Sequence, residues 1–188
     1  MKQTLSTKKL VLTGVLAALT CVGSALRITV PLDIAGTTSF HLGNILCALS
    51  GILLGPWLGG LAAGLGSAIY DMFNPLYISE CWMTFLMKFA YGLAAGLVIR
   101  CRKEDWGYAR ALLATVAGAA AYAALYLTKS YYYSGLLVNG LTPDAAWVTV
   151  LGKLPATTFN AVVAILIAPI LATAIRTALH RQHLDVEG

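Results

Sequence analysis

Charged side chains are scarce in this sequence. Of its 188 residues, 13 are lysine or arginine and 8 are aspartate or glutamate, so 11% of the chain is charged. A soluble domain carries roughly 25%. Hydrophobic residues make up 59% of the chain, and its mean hydropathy is +0.76. Such a composition excludes a water-soluble domain, so residues 1–188 are predicted to form a single integral membrane domain.

The sequence also lacks the motifs of common catalytic sites. It has no GxSxG, HExxH or Walker A motif. Its four cysteines form no CxxC pair and have no histidine at metal-ligand spacing. We therefore predict neither an enzyme nor a resident metal or cofactor. Because the chain has no P-loop, ATP-driven transport would need a separate ATPase.

Long apolar segments are abundant instead. A membrane-spanning helix needs about 20 mainly apolar residues. Pro31, Gly55-Pro56 and Asn74-Pro75 end the first three segments. The second and third are short, which leaves tilt or partial immersion open. The predicted fold is an all-α bundle of six transmembrane helices at residues 10–30, 40–54, 57–73, 82–99, 110–133 and 148–175.

Basic residues are the guide to orientation, because cytoplasmic loops are enriched in lysine and arginine. With six spans, one side collects Lys2, Lys8, Lys9, Arg100, Arg102, Lys103, Arg110, Arg176 and Arg181. Both termini are therefore predicted to be cytoplasmic. The first segment also resembles a signal peptide, but the other spans give a consistent topology only if it is retained. The net charge of +5 is assigned to orientation and not to nucleic-acid binding.

Polar residues inside the spans indicate function, because burying them in a membrane is costly. Tyr122, Tyr126, Lys129 and Tyr133 share one helix face by their spacing, as do Lys153, Thr157 and Asn160. Together these faces predict a cavity with aromatic walls in the outer half of the bundle. The candidate binding residues are His41, Asn44, Asp71, Asn74, Trp82, Lys88, Tyr126, Lys129, Tyr133, Lys153 and Asn160.

Each of these residues also has a structural alternative. Asp71 pairs with Lys88 in one alternative, and the tyrosines form an interfacial belt in another. Lys153 would extend its head group to the surface. A lone histidine such as His41 is more often packed than ligating. Glu80 and Asp144 are expected to be solvated loop charges.

Small residues are spaced for close helix packing. The third span contains Gly59, Gly60 and Gly64, and the first contains Gly14 and Ala18 at four-residue spacing. Membrane helices associate largely through such surfaces. They serve either internal packing of the bundle or docking onto another membrane protein.

Three stretches carry a resemblance to a known family. They are KKLVLTGVLAAL, FHLGNILCALSGILLGPWLGGLAAGLGSAIYDMFNP and KFAYGLAAGLV. In order and spacing they resemble the substrate-binding S components of energy-coupling factor (ECF) transporters. The first span of that family is expected to carry an AxxxA docking motif, and here Gly14 and Ala18 stand at those positions.

The resemblance implies a location, a partner set and a mode of action. An S component lies in the bacterial cytoplasmic membrane and binds a vitamin or related micronutrient with high affinity near the outer face. It docks onto a membrane scaffold (T) subunit that is tied to two ATPase (A) subunits, and it is thought to topple to release its cargo. Gly14 and Ala18 would serve docking, and the loops after the first, third and fifth spans would gate the site.

The predicted substrate is a planar nitrogen heterocycle, either queuosine- or deazaguanine-like or folate-like. Tyrosines would stack on the ring, and Asp or Asn would bind ring N–H groups. Alternatively Arg27, Lys129 and Lys153 would bind a carboxylate or phosphate; cobalamin and riboflavin stay open. The alternative functions are a cell-shape scaffold of the MreD-like type with no ligand, and an intramembrane enzyme whose nucleophile or metal set is not found.

Overall fold

The computed structural model describes residues 7–32, 37–101 and 106–181. In these ranges the chain forms six α-helices and one antiparallel hairpin. The elements are α1 (Thr7–Ala25), β1 (Arg27–Pro31), β2 (Thr37–His41), α2 (Gly43–Leu54), α3 (Pro56–Met72), α4 (Cys81–Arg100), α5 (Tyr108–Lys129) and α6 (Pro143–Arg181). A 3-10 turn, Ile78–Glu80, precedes α4, and a π-helical segment, Ser130–Val138, continues α5. Lys2, Arg102 and Lys103, which were used for the predicted topology, lie outside the described residues.

The prediction of a helical membrane protein is confirmed. In the described ranges four helical segments are long and apolar enough to cross a membrane: Thr7–Ala25, Ile78–Arg100, Tyr108–Val138 and Pro143–Leu179. The α2 and α3 helices are shorter, at 12 and 17 residues. The predicted third and fourth spans agree closely with α3 and α4. The predicted sixth span is too short, because α6 begins at Pro143 and continues to Arg181.

The hairpin between α1 and α2 corrects the purely α-helical prediction. The first span was predicted to continue to residue 30, but α1 ends at Ala25 and β1 begins at Arg27. β1 pairs with β2 in a register that places Arg27 opposite His41 and Pro31 opposite Thr37. β-branched residues, which favour strands, occupy the middle of β1 and the start of β2. The second helix consequently begins at Gly43 and not at residue 40.

Glycines allow α2, α3 and α4 to pack with their backbones in contact. A Cβ atom on Gly92 would lie 2.6 Å from the carbonyl oxygen of Gly59, and one on Gly59 would lie 2.5 Å from the Cα of Gly51. These glycines therefore serve internal packing. Gly14 differs, because a Cβ there would meet no atom within 4 Å, and both Gly14 and Ala18 are exposed on α1.

The bundle has two distinct ends. We call the end that carries β1 and β2 the hairpin end, and the opposite end, where α2 turns into α3, the turn end. At the turn, Gly55 has φ +80°, which L side chains rarely adopt, and Pro56 starts α3. Also at the turn end, the Arg176 guanidinium donates to the Trp106 carbonyl and lies 4.6 Å from the centroid of its ring.

Candidate functional site

A cavity of about 230 Å³ opens at the hairpin end, between the hairpin and helices α3 to α6. Hydroxyl groups, tyrosine rings and charged groups line most of its wall. The charged lining consists of four cations, Arg27, Lys88, Lys129 and Lys153, and two carboxylates, Asp71 and Glu80. Such a concentration of ionisable groups within a bundle of apolar helices marks this cavity as the candidate binding site.

Most of the predicted site residues meet at this cavity. The structure places seven of the eleven in its lining: His41, Asp71, Lys88, Tyr126, Lys129, Lys153 and Asn160. They come from β2, α3, α4, α5 and α6. Helical spacing places Tyr126 with Lys129 and Lys153 with Asn160 on shared helix faces, and the packing of the elements brings these faces together. Whether they bind a ligand stays a prediction.

Four predicted residues do not line the cavity. Asn44 lies behind it and accepts a hydrogen bond from Lys88. Asn74 donates to the Tyr70 hydroxyl at 2.8 Å and accepts a hydrogen bond from the backbone N–H of Leu76 at 3.0 Å, so its side chain stabilises its own loop. Trp82 packs edge-to-face on Tyr133, with ring centroids 6.4 Å apart, and Trp82 is 53% exposed. These four side chains support the wall or face outward.

Two stacked tyrosines form the aromatic part of the wall. The rings of Tyr122 and Tyr126 are nearly parallel, at 16°, with centroids 5.7 Å apart. The Lys88 ammonium lies 3.9 Å from the centroid of the Tyr122 ring, and the Lys153 ammonium lies 5.6 Å from that of Tyr126. A cation over a ring face is attracted by the quadrupole of the ring. Tyr132, by contrast, is exposed, as an interfacial tyrosine would be.

The structural alternative in which Asp71 pairs with Lys88 is wrong. The carboxylate of Asp71 lies 3.8 Å from the guanidinium of Arg27, while Lys88 donates to Asn44. The Arg27 guanidinium also lies between two aromatic rings, 4.1 Å from the centroid of Tyr70 and 4.8 Å from that of Tyr77. The strand β1, which sequence reasoning missed, carries Arg27 toward the end of α3 and so decides this pairing.

The expectation that Glu80 is a solvated loop charge is also wrong. Its carboxylate forms an ion pair with Lys129 and accepts a longer hydrogen bond from Ser134, at 3.4 Å. The pair joins the 3-10 turn before α4 to the end of α5. Asp144 is exposed, in agreement with the expectation for it.

Lys153 does not extend its head group to the surface, because the residue is only 6% exposed. Its ammonium donates to the hydroxyl of Ser130 at 3.3 Å. Ser130 is fully buried and begins the π-helical segment. π-helical geometry is rare in proteins and, where it interrupts an α-helix, frequently lies at a functional site. No local sequence signal identified Ser130, since a serine following Lys129 is an ordinary helix end.

The hairpin contributes further cavity residues that the sequence did not reveal. The Tyr77 hydroxyl is within hydrogen-bonding distance, 3.0 Å, of the hydroxyls of both Thr37 and Ser39 on β2. Burial acts to raise the pKa of Tyr77, but these hydrogen bonds favour the phenolate and the resulting pKa is lowered. The hydroxyl-rich sequence TTSF was the available signal for these cavity residues. It could be interpreted only once these residues were assigned to a strand.

Two comparisons relate the chain to known proteins. A family model described as "ECF-type riboflavin transporter, S component" matches residues 4–177. The chain is also similar to an uncharacterized protein in the gap 3' region of Pyrococcus woesei, with 31% identity over 118 residues, which is 63% of this chain and 74% of that protein.

Proposed function

Because the chain belongs to the family of ECF-type riboflavin transporter S components, we propose that it captures a vitamin or related micronutrient with high affinity for import. Family membership makes it a substrate-binding transporter subunit, which is not an enzyme, and implies partnership with T and A subunits. We assign ATP hydrolysis to two separate A subunits, in line with the absence of a Walker A motif from the sequence.

All six helices cross the membrane in this proposal, and residues 1–188 form one membrane domain of the bacterial cytoplasmic membrane with both termini cytoplasmic. The basic residues Lys8, Arg100, Arg110 and Arg176 lie on helix segments at the turn end, which supports a cytoplasmic turn end. The hairpin end and its cavity then face outward. The α2 helix is short for a span, and the β2 strand before it extends the crossing.

The cavity supports a substrate with a planar nitrogen-containing ring. The stacked Tyr122 and Tyr126 offer a flat aromatic wall, and Asp71 and the hydroxyls of β2 offer groups for ring nitrogens and oxygens. The volume of about 230 Å³ lies just below the usual 300–1,000 Å³ of ligand sites. Such a volume favours a compact ring system over cobalamin. Riboflavin, named in the family description, is a member of this class, beside deazaguanine-like and folate-like compounds.

A ligand screen on the detergent-purified full chain tests the proposal. Thermal unfolding is followed with riboflavin, a pterin, folate, queuine and cobalamin. A ligand present at a hundredfold excess over its dissociation constant stabilises the folded state by about 2.7 kcal/mol. We expect a shift with one planar-ring compound. The shift should be lost in Tyr126→Leu and retained in the control Tyr132→Leu, which removes an exposed ring.

Stabilisation by cobalamin alone would contradict the proposal that the substrate has a compact planar ring. Stabilisation by none of the compounds would count against a vitamin-binding site in this cavity and favour a scaffold without a ligand.

A further inference from the structure

The cavity holds more positive charge than its own carboxylates neutralise. Arg27 is paired with Asp71, and Lys129 is paired with Glu80. Among the described residues, the other two cations of the lining, Lys88 and Lys153, have no carboxylate at salt-bridge distance. The two remaining cations are therefore the candidates for binding a charge that the protein does not supply.

Both of these lysines are buried, Lys88 to 3% exposure and Lys153 to 6%. A buried charge without an opposite charge is costly, because it loses its hydration. The cost of burying the Lys88 charge is offset by two contacts, a hydrogen bond to the side-chain oxygen of Asn44 and the face of the Tyr122 ring, whose centroid is 3.9 Å away. Its environment therefore explains its presence without a ligand.

The cost of burying the Lys153 charge is offset much less. Within the described ranges its hydrogen-bond partner is the Ser130 hydroxyl, at 3.3 Å, and the centroid of the Tyr126 ring is 5.6 Å away. An ammonium group has further N–H donors beyond the one that Ser130 accepts. Because the residue lines the cavity, those donors are available to a ligand there.

We infer that the transported ligand carries an acidic group, a carboxylate or a phosphate, which accepts a hydrogen bond from the ammonium of Lys153. This inference rests on the proposed function, from which it takes the location of the binding site. It does not depend on the ligand having a planar ring. Ser130 holds the ammonium in position from the π-helical segment. The planar part of the ligand would stack beside Tyr126, so one molecule would use both the aromatic wall and the cation.

The test compares compounds that differ only in the acidic group. The pairs are riboflavin 5′-phosphate with riboflavin, pterin-6-carboxylate with pterin, and pantothenate with pantothenyl alcohol. Dissociation constants are measured by calorimetry on the full-length purified chain. In at least one pair the acidic member should bind more than about tenfold more tightly, as a hydrogen bond to a charged group does. The pair that shows the preference identifies phosphate or carboxylate.

Three substitutions separate recognition from folding. Lys153→Met should abolish the preference while the neutral compound binds as before, and Lys153→Arg should keep a preference for the acid because it keeps the charge. Lys8→Met is the matched control, since Lys8 is exposed at the start of α1 and should leave the preference intact. If Lys153→Met does not fold, the preference of the unmodified chain and of Lys153→Arg still decides the question.

Equal affinities within every pair that binds would overturn the inference and leave the proposed function standing. If Lys153→Met lost affinity equally for both members of a pair, that result would also overturn the inference, because it would assign Lys153 a structural role. A preference confined to the pantothenate pair would support the inference and contradict the planar ring. No binding of any compound would overturn both.

Discussion

The side-chain oxygen of Asn160 accepts a hydrogen bond from the backbone N–H of His41 at 2.9 Å. The amide nitrogen of Asn160 donates to the carbonyl of Ser39 at 2.8 Å, so one side chain on α6 satisfies two backbone groups of β2. Asn160 is 5% exposed. Its spacing from Lys153 predicted a ligand contact, which stays a prediction, since Asn160 also lines the cavity. The structure adds a second role, because Asn160 clamps the hairpin at the mouth of the cavity.

Replacing Asn160 should therefore loosen the hairpin. In Asn160→Leu the N–H of His41 and the carbonyl of Ser39 lose their partners, which costs about 1–3 kcal/mol for each group left buried and unsatisfied. We expect a lower unfolding temperature and weaker ligand binding, because β2 lines the site. The control Thr158→Ala changes an exposed position on α6 and should have neither effect. Unchanged stability in Asn160→Leu would contradict the role of the clamp.

Removing the charge of Asp71 should weaken binding. Asp71→Asn eliminates the ion pair that orients Arg27 between Tyr70 and Tyr77 at the cavity. We expect the dissociation constant to rise more than about tenfold, which is roughly 1.4 kcal/mol. Calorimetry with the best compound of the screen measures this change. Asp144→Asn, which removes an exposed carboxylate at the start of α6, is the control, and equal affinities of the two variants would exclude Asp71 from the site.

Bulky residues on the exposed face of α1 should block docking without affecting the site. Gly14 and Ala18 are both exposed, and a side chain at Gly14 meets no atom of the chain within 4 Å. Gly14→Leu and Ala18→Leu should bind ligand normally and fail to support uptake with T and A subunits, because close helix approach needs small residues. Val22→Leu, at an exposed position on the same face, is the control and should leave both ligand binding and uptake unchanged. Loss of binding by the isolated variants would argue against docking.

A methyl group at Gly92 should destabilise the bundle. Its Cβ would lie 2.6 Å from the Gly59 carbonyl oxygen, so α3 and α4 must separate. We expect Gly92→Ala to lose about 1–3 kcal/mol of unfolding free energy, as overpacked cores do. The measurement is thermal unfolding in detergent. The open position Gly14→Ala is the control and should be neutral or slightly stabilising, because alanine favours helices.

Local patterns predicted much of the fold, since helix formation in a membrane depends on runs of apolar residues along the chain. The turn at Gly55-Pro56 and the bounds of α3 and α4 followed from such patterns. The hairpin was missed because residues 27–31 continue an apolar run, and they form a strand only by pairing with residues 37–41. The hydropathy of one segment carries no information about the strand with which that segment pairs.

The sequence by itself determined that this protein is helical, lies in a membrane, and carries polar faces on several helices, because composition and helical period are local properties. It also carried the resemblance that the family match confirms. Only the tertiary structure decided which polar and charged groups meet. Arg27 pairs with Asp71, Lys129 with Glu80, and Asn160 with β2, since each pairing depends on the distance between elements remote in the chain. The same arrangement leaves Lys153 at the cavity with the Ser130 hydroxyl as its only hydrogen-bond partner in the part of the chain that the structure describes.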